Sequence, residues 1–512
     1  MHTLSPLIAG LREQLDAQLI ETHISWVLIA GGYAYKIKKP VDLGFLDFST
    51  PERRRFCCEE EVRLNRRLAP DTYLSVEPVT VQGIGGPGEP LDWAVKMRAF
   101  DADATLDRAA MPSAAQIDAI ADRVALFHAQ AETAPADSGF GSPEAVFRPI
   151  EQNFLQIRAL DPPAAALPRL DRLEAWSRAR QQALLGHLAS RKADGWIREC
   201  HGDLHLGNIA WVDDAPLIFD CIEFNPALRF IDVVSEVAFL CMDLESRGRG
   251  DLAWRFLNRW LEGSGDYAGL AAFSHYQVYR AMVRAKVNFI RAAQEDAADA
   301  PAERAEALRY LELAETLARP GQAALLLMHG VSGSGKTWLA QMLLEALGAV
   351  RLRSDVERKR LFGLAPLEDS RAVAGGIYTP EAGRRTFAHL CETAGRLLDM
   401  GLPVIVDATF LLRLHRQPFH DLAAEKGVPL RIVSLQADEA LLRARVTARG
   451  RRRDDASEAD LAVLEMQLGT RESLTEEEAD LAVTFGAESA DGWPARIEAL
   501  KNVLFPTRPD AH

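Results

Sequence analysis

The feature that most constrains the fold is a glycine-rich segment that reads Gly330-Val-Ser-Gly-Ser-Gly-Lys-Thr337. It follows an apolar, strand-like run at residues 323–329 and precedes an apolar helical pattern at 338–347. Glycines at this spacing let successive backbone N–H groups converge on phosphate oxygens, assisted by the N-terminus of the helix. The order of strand, glycine-rich loop and helix therefore predicts a phosphate-binding loop in a parallel α/β sheet.

Individual positions of this loop have predicted roles in binding ATP. Lys336 would reach the β- and γ-phosphates, and Thr337 would ligate Mg²⁺. The other loop positions are expected to bind the nucleotide phosphates, and they are Gly330, Ser332, Gly333, Ser334 and Gly335. A loop with a purely structural role is the alternative, and the flanking strand and helix argue against it.

Further strand-like runs follow at 350–352, 403–406 and 431–435, as expected when strands and helices alternate. Asp355 and Asp407 come shortly after the first two runs. The carboxyl ends of parallel strands are where such sheets bind ligands. We therefore predict that Asp407 organises Mg²⁺ and that Asp355 binds the acceptor or acts as a base.

Arginines are concentrated in the helix and loop at 442–453, where Arg445 and Arg449 lie four residues apart on one helical face. Together with the loop at 330–337, this pattern resembles the small P-loop kinases that include gluconate, polynucleotide and zeta-toxin-type kinases. The resemblance implies a second kinase in which a lid arginine, Arg445, stabilises the transferring phosphoryl group. For Arg451–Arg453 a solvated basic loop is the alternative.

A second constellation lies earlier in the chain, where residues 201–208 read His-Gly-Asp-Leu-His-Leu-Gly-Asn. Asp203 and Asn208 stand five residues apart, and a predicted hairpin at 209–219 ends at Asp220. Phosphoryl transfer needs a carboxylate that orients or deprotonates the accepting hydroxyl, and it needs oxygen ligands for Mg²⁺. Asp203 suits the first role, whereas Asn208 and Asp220 suit the second.

The two histidines of this segment, His201 and His205, allow a different interpretation. A His-x-x-x-His pair on a helix can bind zinc. Gly202 and Gly207 disfavour a helix at this point, so the phosphoryl-transfer interpretation is preferred.

Short strands and one helix are expected in the first hundred residues. Residues 24–29 and 33–38 read as strands joined by Gly31-Gly32, a hairpin turn signal, and residues 51–68 read as a helix. Lys36 and Lys38 fall on the second strand, for which an exposed sheet edge is one possible reading. Further along, helices dominate.

The loop at 201–208 resembles the protein-kinase-like fold, most closely the aminoglycoside and choline phosphotransferase branch, whose loop reads His-Gly-Asp-x-His-x-x-Asn. The resemblance covers about residues 15–290. It implies a bilobal fold with ATP and Mg²⁺ as cofactors. It also implies that Lys36 binds phosphate and that Glu61, or as second choice Glu60, is the ion-pair partner of this lysine.

Other positions are assigned by the same resemblance. Met97 falls in the interlobe hinge, whose backbone would bind adenine, and Asp232 resembles an aspartate that braces the catalytic loop. His205 would contact the transferred phosphate, with a purely structural role as the alternative. No Gly-x-Gly-x-x-Gly loop precedes Lys36, so Thr22 and Ser25 are expected to cover the phosphates.

The chain of 512 residues is too long for one hydrophobic core, because such cores stop growing at about 250–300 residues. The predicted kinase-like domain spans 1–293, with a small lobe at about 1–100 and a helical lobe at about 101–293. A helical linker is expected at 294–321 and a P-loop domain at 322–508. The predicted fold class is thus a bilobal α+β kinase-like fold followed by a P-loop NTPase α/β domain.

Charge is distributed unevenly along the chain, whose formal net charge is −14. Residues 1–321 carry −11 and residues 322–512 carry −3. An acidic surface repels phosphate backbones, so nucleic acid is not expected as a partner of the first half, where a cationic acceptor is favoured. The near-neutral second half leaves a nucleic-acid partner open.

The six cysteines lack the Cys-x-x-Cys spacing of zinc or redox sites, which indicates reduced thiols. The N-terminus lacks the basic start and apolar run of a signal peptide, and no segment approaches the roughly 20 apolar residues of a membrane span. We therefore expect a cytoplasmic protein that does not enter a membrane.

The two constellations resemble bacterial fusions of an aminoglycoside-phosphotransferase-like domain with an ATP-binding domain. The resulting hypothesis is an ATP- and Mg²⁺-dependent phosphotransferase that acts on a hydroxyl of a small molecule and carries a second P-loop kinase. A nucleotide-binding regulatory or sensor protein is the first alternative. Polynucleotide-type kinase activity in the P-loop half is the second.

Overall fold

The computed structural model describes residues 5–44, 46–294, 300–370, 373, 376–452, 456–487 and 490–506. Contacts divide the chain into two compact units. Unit 1 comprises Met1–Ser246 and Ala272–Leu317, and unit 2 comprises Arg247–Ala271 and Ala318–His512.

The secondary structure alternates between sheet-rich and helical stretches. The strands are β1 (Gln18–Glu21), β2 (Ser25–Ala30), β3 (Tyr33–Lys38), β4 (Tyr73–Thr80), β5 (Gly83–Ile84), β6 (Asp92–Arg98), β7 (Ile197–Glu199), β8 (Ile209–Val212), β9 (Ala215–Ile218), β10 (Phe230–Asp232), β11 (Leu325–His329), β12 (Val350–Arg353), β13 (Val404–Asp407), β14 (Leu430–Gln436) and β15 (Ala482–Gly486). The helices are α1 (Pro6–Leu15), α2 (Pro51–Asn65), α3 (Ala114–Gln130), α4 (Pro143–Ala159), α5 (Leu167–Ala193), α6 (Pro226–Arg229), α7 (Val233–Ser246), α8 (Gly250–Ser264), α9 (Phe273–Gln294), α10 (Ala300–Leu317), α11 (Lys336–Leu347), α12 (Ser354–Leu361), α13 (Pro380–Asp399), α14 (Arg413–Lys426), α15 (Glu439–Arg452), α16 (Leu461–Thr470), α17 (Glu476–Asp480) and α18 (Trp493–Leu504).

The unit boundaries differ from the predicted domains in two places. Helix α10, which falls in the linker expected at 294–321, packs along α9 and belongs to unit 1. Residues 247–271, which include α8, belong to unit 2 although the first domain was expected to reach 293. The second difference arises from packing between segments that are distant in sequence, which local patterns do not encode.

Unit 1 begins with an antiparallel sheet in the order β1-β2-β3-β6-β4-β5. The turn between β2 and β3 is made by Gly31 and Gly32, whose φ angles of 60° and 80° suit glycine. Strand β3 lies inside the sheet, so the reading of an exposed edge for Lys36 and Lys38 is wrong. Helix α2 packs against β4 and β6, where Val62 meets Tyr73.

The rest of unit 1 is helical, with the exception of two small ladders. The predicted hairpin at 209–219 is confirmed as β8 and β9, which pair antiparallel. Asp213 and Asp214 form its turn with φ angles of 49° and 57°, values that aspartate tolerates better than most residues. Helix α7 is buried along most of its length and lies next to the catalytic loop in the core.

Unit 2 contains a parallel sheet in the order β12-β13-β11-β14-β15, which confirms the predicted α/β fold. Its core packs apolar side chains of α11 and α18 against one face of the sheet, among them Leu339, Leu343 and Ile497. Strand β12 lies at the edge of the sheet, and helix α8 contacts it. Among the described residues, no helix is both long enough and apolar enough to span a bilayer.

Candidate active sites

Lys36 lies at the centre of an ion-pair cluster in unit 1. Its Nζ is 2.9 Å from Oε1 of Glu61 on α2 and 2.5 Å from Oδ1 of Asp220, which follows β9. Burial alone would lower the pKa of Lys36. The carboxylates, Asp220 first and then Glu61, raise it by more in total, so the pKa of Lys36 is well above its usual value. Lys36 is therefore a permanent cation, as the binding of phosphate oxygens requires.

Lys38 and Glu223 extend this cluster and were not predicted. Nζ of Lys38 donates to Oε2 of Glu61 at 2.6 Å and also to Oε1 of Glu223. The Lys38 side chain is 0% exposed. Buried charges are retained only when they are paired, and here two lysines share Glu61 and each has a second carboxylate partner. The only local sequence feature that pointed to Glu223 was its position three residues after Asp220.

The loop at 201–208 holds Asp203, His205 and Asn208 together. Asn208 Nδ2 donates to the carbonyl oxygen of Asp203 at 2.9 Å and to its Oδ2 at 3.2 Å, and His205 Nε2 is 3.5 Å from the same Oδ2. Burial raises the pKa of Asp203, but His205 lowers it, and the net pKa is below the usual value. The Asp203 side chain is 40% exposed, so an ionised carboxylate is accessible to an acceptor.

His201 fixes the shape of this loop. Its Nε2 donates to the carbonyl oxygen of Phe219 at 2.8 Å, and its Nδ1 accepts from the N–H of Asp203 at 3.2 Å. Phe219 N–H donates in turn to the carbonyl oxygen of Asn208 at 3.0 Å, which brings Asp220 next to the loop. Both ring nitrogens of His201 are thus engaged, and the zinc interpretation with His205 is not supported.

Two buried carboxylates of α7 hold the backbone of the loop. Glu236 Oε2 accepts from Gly202 N–H at 2.7 Å, and Asp243 Oδ2 accepts from Leu206 N–H at 3.0 Å. Glu236 Oε1 also lies 2.9 Å from His128 Nε2. Burial raises the pKa of Glu236, but the hydrogen bond with His128 lowers it, and the resulting pKa is about 2.

Asp232 was expected to brace the same loop, but the structure gives it another partner. Its carboxylate binds Arg191 of α5, with Nε at 2.5 Å and Nη2 at 2.7 Å. Helix α7 begins directly after Asp232, so the braces lie further along that helix, at Glu236 and Asp243.

The residues expected around the nucleotide occupy the sheet of unit 1. Met97 lies near the end of β6, opposite Ala34 of β3. Thr22 closes the turn between β1 and β2, because its Oγ1 donates to the carbonyl of Ser25 at 3.1 Å and accepts from Ser25 N–H at 3.0 Å. The Ser25 side chain is buried, so this turn offers mainly Thr22 and its backbone to a ligand.

In unit 2 the glycine-rich loop joins β11 to α11 as predicted. Gly330, Gly333 and Gly335 have φ angles of 143°, 83° and 96°. A Cβ at Gly330 would lie 2.9 Å from the carbonyl oxygen of Leu435, so no larger residue fits there. Lys336 Nζ donates to the carbonyl oxygen of Val331 at 2.9 Å across the loop.

Asp407 and Thr337 form a candidate Mg²⁺ site beside this loop. Asp407 ends β13, is 6% exposed and hydrogen-bonds with the Thr337 side chain. Its Oδ2 has no hydrogen-bond partner within the described parts of the chain. Burial raises the pKa of Asp407 despite the nearby cations Arg351 and Arg353. A buried carboxylate with an unused oxygen next to a hydroxyl fits the hard oxygen ligands that Mg²⁺ requires.

Asp355 lies at the start of α12, directly after the carboxyl end of β12. Arg358 was not predicted, yet its Nη1 is 3.7 Å from Asp355 Oδ1 and its guanidinium lies 4.9 Å from the ring centre of Tyr378. The Asp355 side chain is 27% exposed. The pair therefore offers one accessible carboxylate and one cation to an acceptor.

Arg445 reaches the loop from α15. Its Nη2 donates to the carbonyl oxygen of Ala487 at 2.9 Å, and its Nη1 is 3.7 Å from where a Cβ on Gly335 would lie. The side chains of Arg449 and Arg451–Arg453 lie outside the described residues. A pocket of about 320 Å³ opens beside Arg445, and it is lined by Gly335, Trp338, Arg445, Ala487, Ala490 and Trp493.

Comparison with known proteins identifies both units. Residues 51–273 match the phosphotransferase enzyme family, and residues 325–474 match the AAA domain family. An uncharacterized protein of Mycobacterium tuberculosis is 33% identical over 391 residues, which cover 76% of this chain and 78% of that protein. An uncharacterized protein of Mycobacterium bovis gives the same values. The chain belongs to their family.

The alignment of 391 residues is longer than either unit, so the similarity to these relatives extends into both. The two family matches of this chain confirm the predicted fusion of two kinase-type domains and support a kinase-type function. The cofactor implied by both domains is ATP.

Two solved structures are similar to parts of the chain at low TM-scores. A choline/ethanolamine kinase family protein from Mesorhizobium loti is 12% identical, with a TM-score of 0.36, and the match covers 60% of this chain and 99% of that chain. A gluconokinase from Sinorhizobium meliloti is 22% identical, with a TM-score of 0.26, over 37% of this chain and 98% of that chain.

Proposed function

We propose that unit 1 transfers the γ-phosphoryl group of ATP to a hydroxyl of a small molecule. The observation that carries this proposal is the joint placement of one cation, Lys36, one accessible carboxylate, Asp203, and two oxygen-bearing side chains, Asn208 and Asp220. The hairpin β8–β9 connects these groups, since it returns the chain from Asn208 to Asp220.

Asp203 receives the acceptor hydroxyl. Because its pKa is below the usual value, the carboxylate is ionised at neutral pH and accepts a hydrogen bond from the hydroxyl. Phosphoryl transfer passes through a loose transition state, so orientation of the hydroxyl matters more than early removal of its proton. His205, 3.5 Å from Oδ2, restrains the carboxylate and adds a donor for the phosphoryl oxygens.

Lys36 binds the phosphates of ATP when its pair with Asp220 opens. Glu61 retains the lysine through the 2.9 Å contact, which fixes its direction while Asp220 turns to a new partner. Asn208 and Asp220 would hold Mg²⁺, which would neutralise charge on the phosphates. The backbone near Met97 is the proposed contact for adenine.

Unit 2 binds a second ATP in this proposal. The loop at 330–337 receives the phosphates, with Lys336 as their cation and Thr337 and Asp407 as the Mg²⁺ ligands. Trp338 is 56% exposed, and its ring centre lies 4.9 Å from that of Trp493, so a purine base can stack in the adjoining pocket. Arg445 lies where it can reach the phosphoryl group, and Asp355 with Arg358 would receive the acceptor.

The acceptor of unit 1 is proposed to be cationic. Residues 1–321, which include all of unit 1, carry −11, and such a field attracts amino alcohols or amino sugars and repels phosphorylated molecules. The acceptor of unit 2 has no such charge constraint.

The test is ADP release from ATP and Mg²⁺ with a panel of amino alcohols, neutral sugars, aminoglycosides and short oligonucleotides. An acceptor-dependent rate that is lost in Asp203→Asn and kept in Lys336→Ala assigns the reaction to unit 1. If no acceptor raises ADP release, and both variants match the parent across the panel, the enzyme proposal fails and the regulatory alternative gains. Salt-sensitive oligonucleotide phosphorylation lost only in Lys336→Ala would favour the polynucleotide alternative.

A further inference from the structure

Helix α8 covers the edge of the parallel sheet in unit 2, although it precedes α9 and α10 of unit 1 in the chain. Asn258 on α8 makes hydrogen bonds to the backbone at β12 that a neighbouring strand would otherwise make. Its Oδ1 accepts from Arg351 N–H at 2.7 Å, and its Nδ2 donates to the carbonyl oxygen of Ala349 at 2.9 Å. An edge strand needs such partners for its exposed backbone groups, and α8 supplies them.

One turn further along α8, Glu262 binds two arginines of the edge strand. Its Oε1 is 2.6 Å from Nη2 of Arg351, and its Oε2 is 3.2 Å from Nη1 of Arg353. The Glu262 side chain is 5% exposed. Burial raises the pKa of Glu262, but Arg351 and Arg353 lower it to about 2, so the carboxylate stays ionised.

These two arginines belong to the surroundings of the candidate Mg²⁺ site. Arg353 is the register partner of Asp407 across the parallel pair β12–β13. Arg351 Nη1 donates to the carbonyl oxygen of Thr337 at 3.2 Å. Even so, Asp407 Oδ2 has no hydrogen-bond partner in the part of the chain that the structure describes. Both guanidinium groups are close enough to lower the pKa of Asp407, and each contacts Glu262.

We propose that Glu262 is a positioning residue of the site in unit 2: by holding Arg351 and Arg353, it keeps Asp407 available to Mg²⁺. Guanidinium groups bind carboxylates strongly and with two hydrogen bonds. Released from Glu262, they would pair with Asp407 and add positive charge where a divalent cation must bind. This role rests on the proposed binding of ATP and Mg²⁺ by unit 2.

The residue with this positioning role lies in one family match, whereas the site that it serves lies in the other. Glu262 lies within residues 51–273, which match the phosphotransferase enzyme family, but its contacts serve the P-loop unit. A P-loop domain defined by the family limits of 325–474 lacks this carboxylate.

The test uses the full chain with Glu262→Gln, a substitution that keeps the shape and removes the charge. Binding of a non-hydrolysable ATP analogue is followed during Mg²⁺ titration, and the part of the signal lost in Lys336→Ala defines unit 2. We expect the Mg²⁺ concentration for half-maximal binding to rise about tenfold, while metal-free binding of the analogue is unchanged.

Arg353→Gln is the matched variant, because it removes one cation and leaves Glu262 paired with Arg351. We expect it to lower the Mg²⁺ requirement, and we expect the double variant to return towards the parent. If Glu262→Gln fails to fold, the Mg²⁺ titration of Arg353→Gln still tests the proposal: a lowered Mg²⁺ requirement supports it, and a raised one overturns it.

Two results would overturn the proposal. The first is an unchanged Mg²⁺ requirement in folded Glu262→Gln, or a raised one in Arg353→Gln. The second is a change in affinity by the same factor with and without Mg²⁺, because the arginines would then act on the phosphates directly. In both cases the parent still shows Lys336-dependent binding, whereas absence of that signal in the parent would overturn the function of unit 2 as well.

Discussion

The lysines of the two sites are held in different ways. Lys36 of unit 1 is bound by two carboxylates, Glu61 and Asp220, which come from α2 and from the segment after β9. Lys336 of unit 2 donates to the carbonyl oxygen of Val331, five residues earlier in its own loop. Lys36 is thus positioned by long-range packing and internal ion pairs, whereas Lys336 is positioned by the local path of one loop.

This difference has a chemical consequence for ligand binding. In unit 1 a phosphate would have to replace Asp220 as a partner of Lys36, and the displaced carboxylate would then be available to hold Mg²⁺. ATP and Mg²⁺ are therefore expected to bind there together. In unit 2 Lys336 donates to the carbonyl oxygen of Val331, a neutral partner, so we expect phosphate binding there to depend less on the metal.

The largest expected effect is that of Asp203→Asn on the reaction of unit 1. Removal of a positioned carboxylate that accepts the hydroxyl proton lowers kcat by about 10²–10⁴-fold. ATP affinity should remain unchanged, since Asp203 faces the acceptor. Steady-state kinetics with the best acceptor of the panel gives kcat, and Asp214→Asn in the exposed hairpin turn is the control. If the Asp203→Asn chain keeps the parental kcat, Asp203 is not a catalytic carboxylate of unit 1, and the proposed contrast between the two sites fails.

Lys336→Ala should weaken the ATP affinity of unit 2 by about 10–100-fold, because the lysine makes charge-assisted hydrogen bonds to phosphate. Calorimetric titration measures this change in Kd. Lys426→Ala, which removes a surface pair with Asp399, should leave it unaltered. If both variants bind ATP alike, the loop at 330–337 does not bind nucleotide.

Glu236→Gln should destabilise unit 1 by about 3 kcal/mol at pH 7, because its pKa of about 2 lies below the ordinary carboxylate value. The folded-state pKa is depressed, so this stability is present above about pH 4.5 and is lost as the pH falls towards 2. Urea titrations at pH 7 and pH 3 should therefore show a gap between parent and variant that narrows in acid. A constant gap, or a gap as small as that of exposed Glu59→Gln, would contradict the role of Glu236.

The smallest expected effect is that of Trp338→Ala, which removes one stacking surface from the pocket of unit 2. ATP affinity should fall about tenfold, in line with the stacking of a base on an aromatic ring. Affinity for inorganic tripolyphosphate should not change, because that ligand has no base. Equal weakening of both ligands would show that the base lies elsewhere.

The sequence predicts the two sites to different extents, because one lysine is held by local contacts and the other by distant ones. The residues of the loop at 330–337 and Asp407 were predictable, because their spacing and their strand ends are local features. In unit 1, Asp220 was predicted from its position at the end of the hairpin and Lys36 was found by resemblance, and the pairing of Lys36 with Glu61 rather than Glu60 needed a helical phase that the sequence leaves ambiguous.

Other features were beyond sequence patterns because their partners are distant in the chain. Lys38 and Glu223 are paired inside the core, although nothing near either residue signals the other. Asp232 was expected to brace the catalytic loop, whereas Glu236 and Asp243 do so from the next turns of α7. The membership of α8 in unit 2 depends on its fit to β12, which only the fold reveals.

The central claim is that one chain carries two separate nucleotide sites. Calorimetric titration of the full chain with a non-hydrolysable ATP analogue and Mg²⁺ tests it most directly. The expected result is two nucleotides per chain, with one lost in Lys336→Ala and the other lost in the double variant Lys36→Ala/Asp220→Asn. A single nucleotide per parent chain, or two in either variant, would contradict the claim.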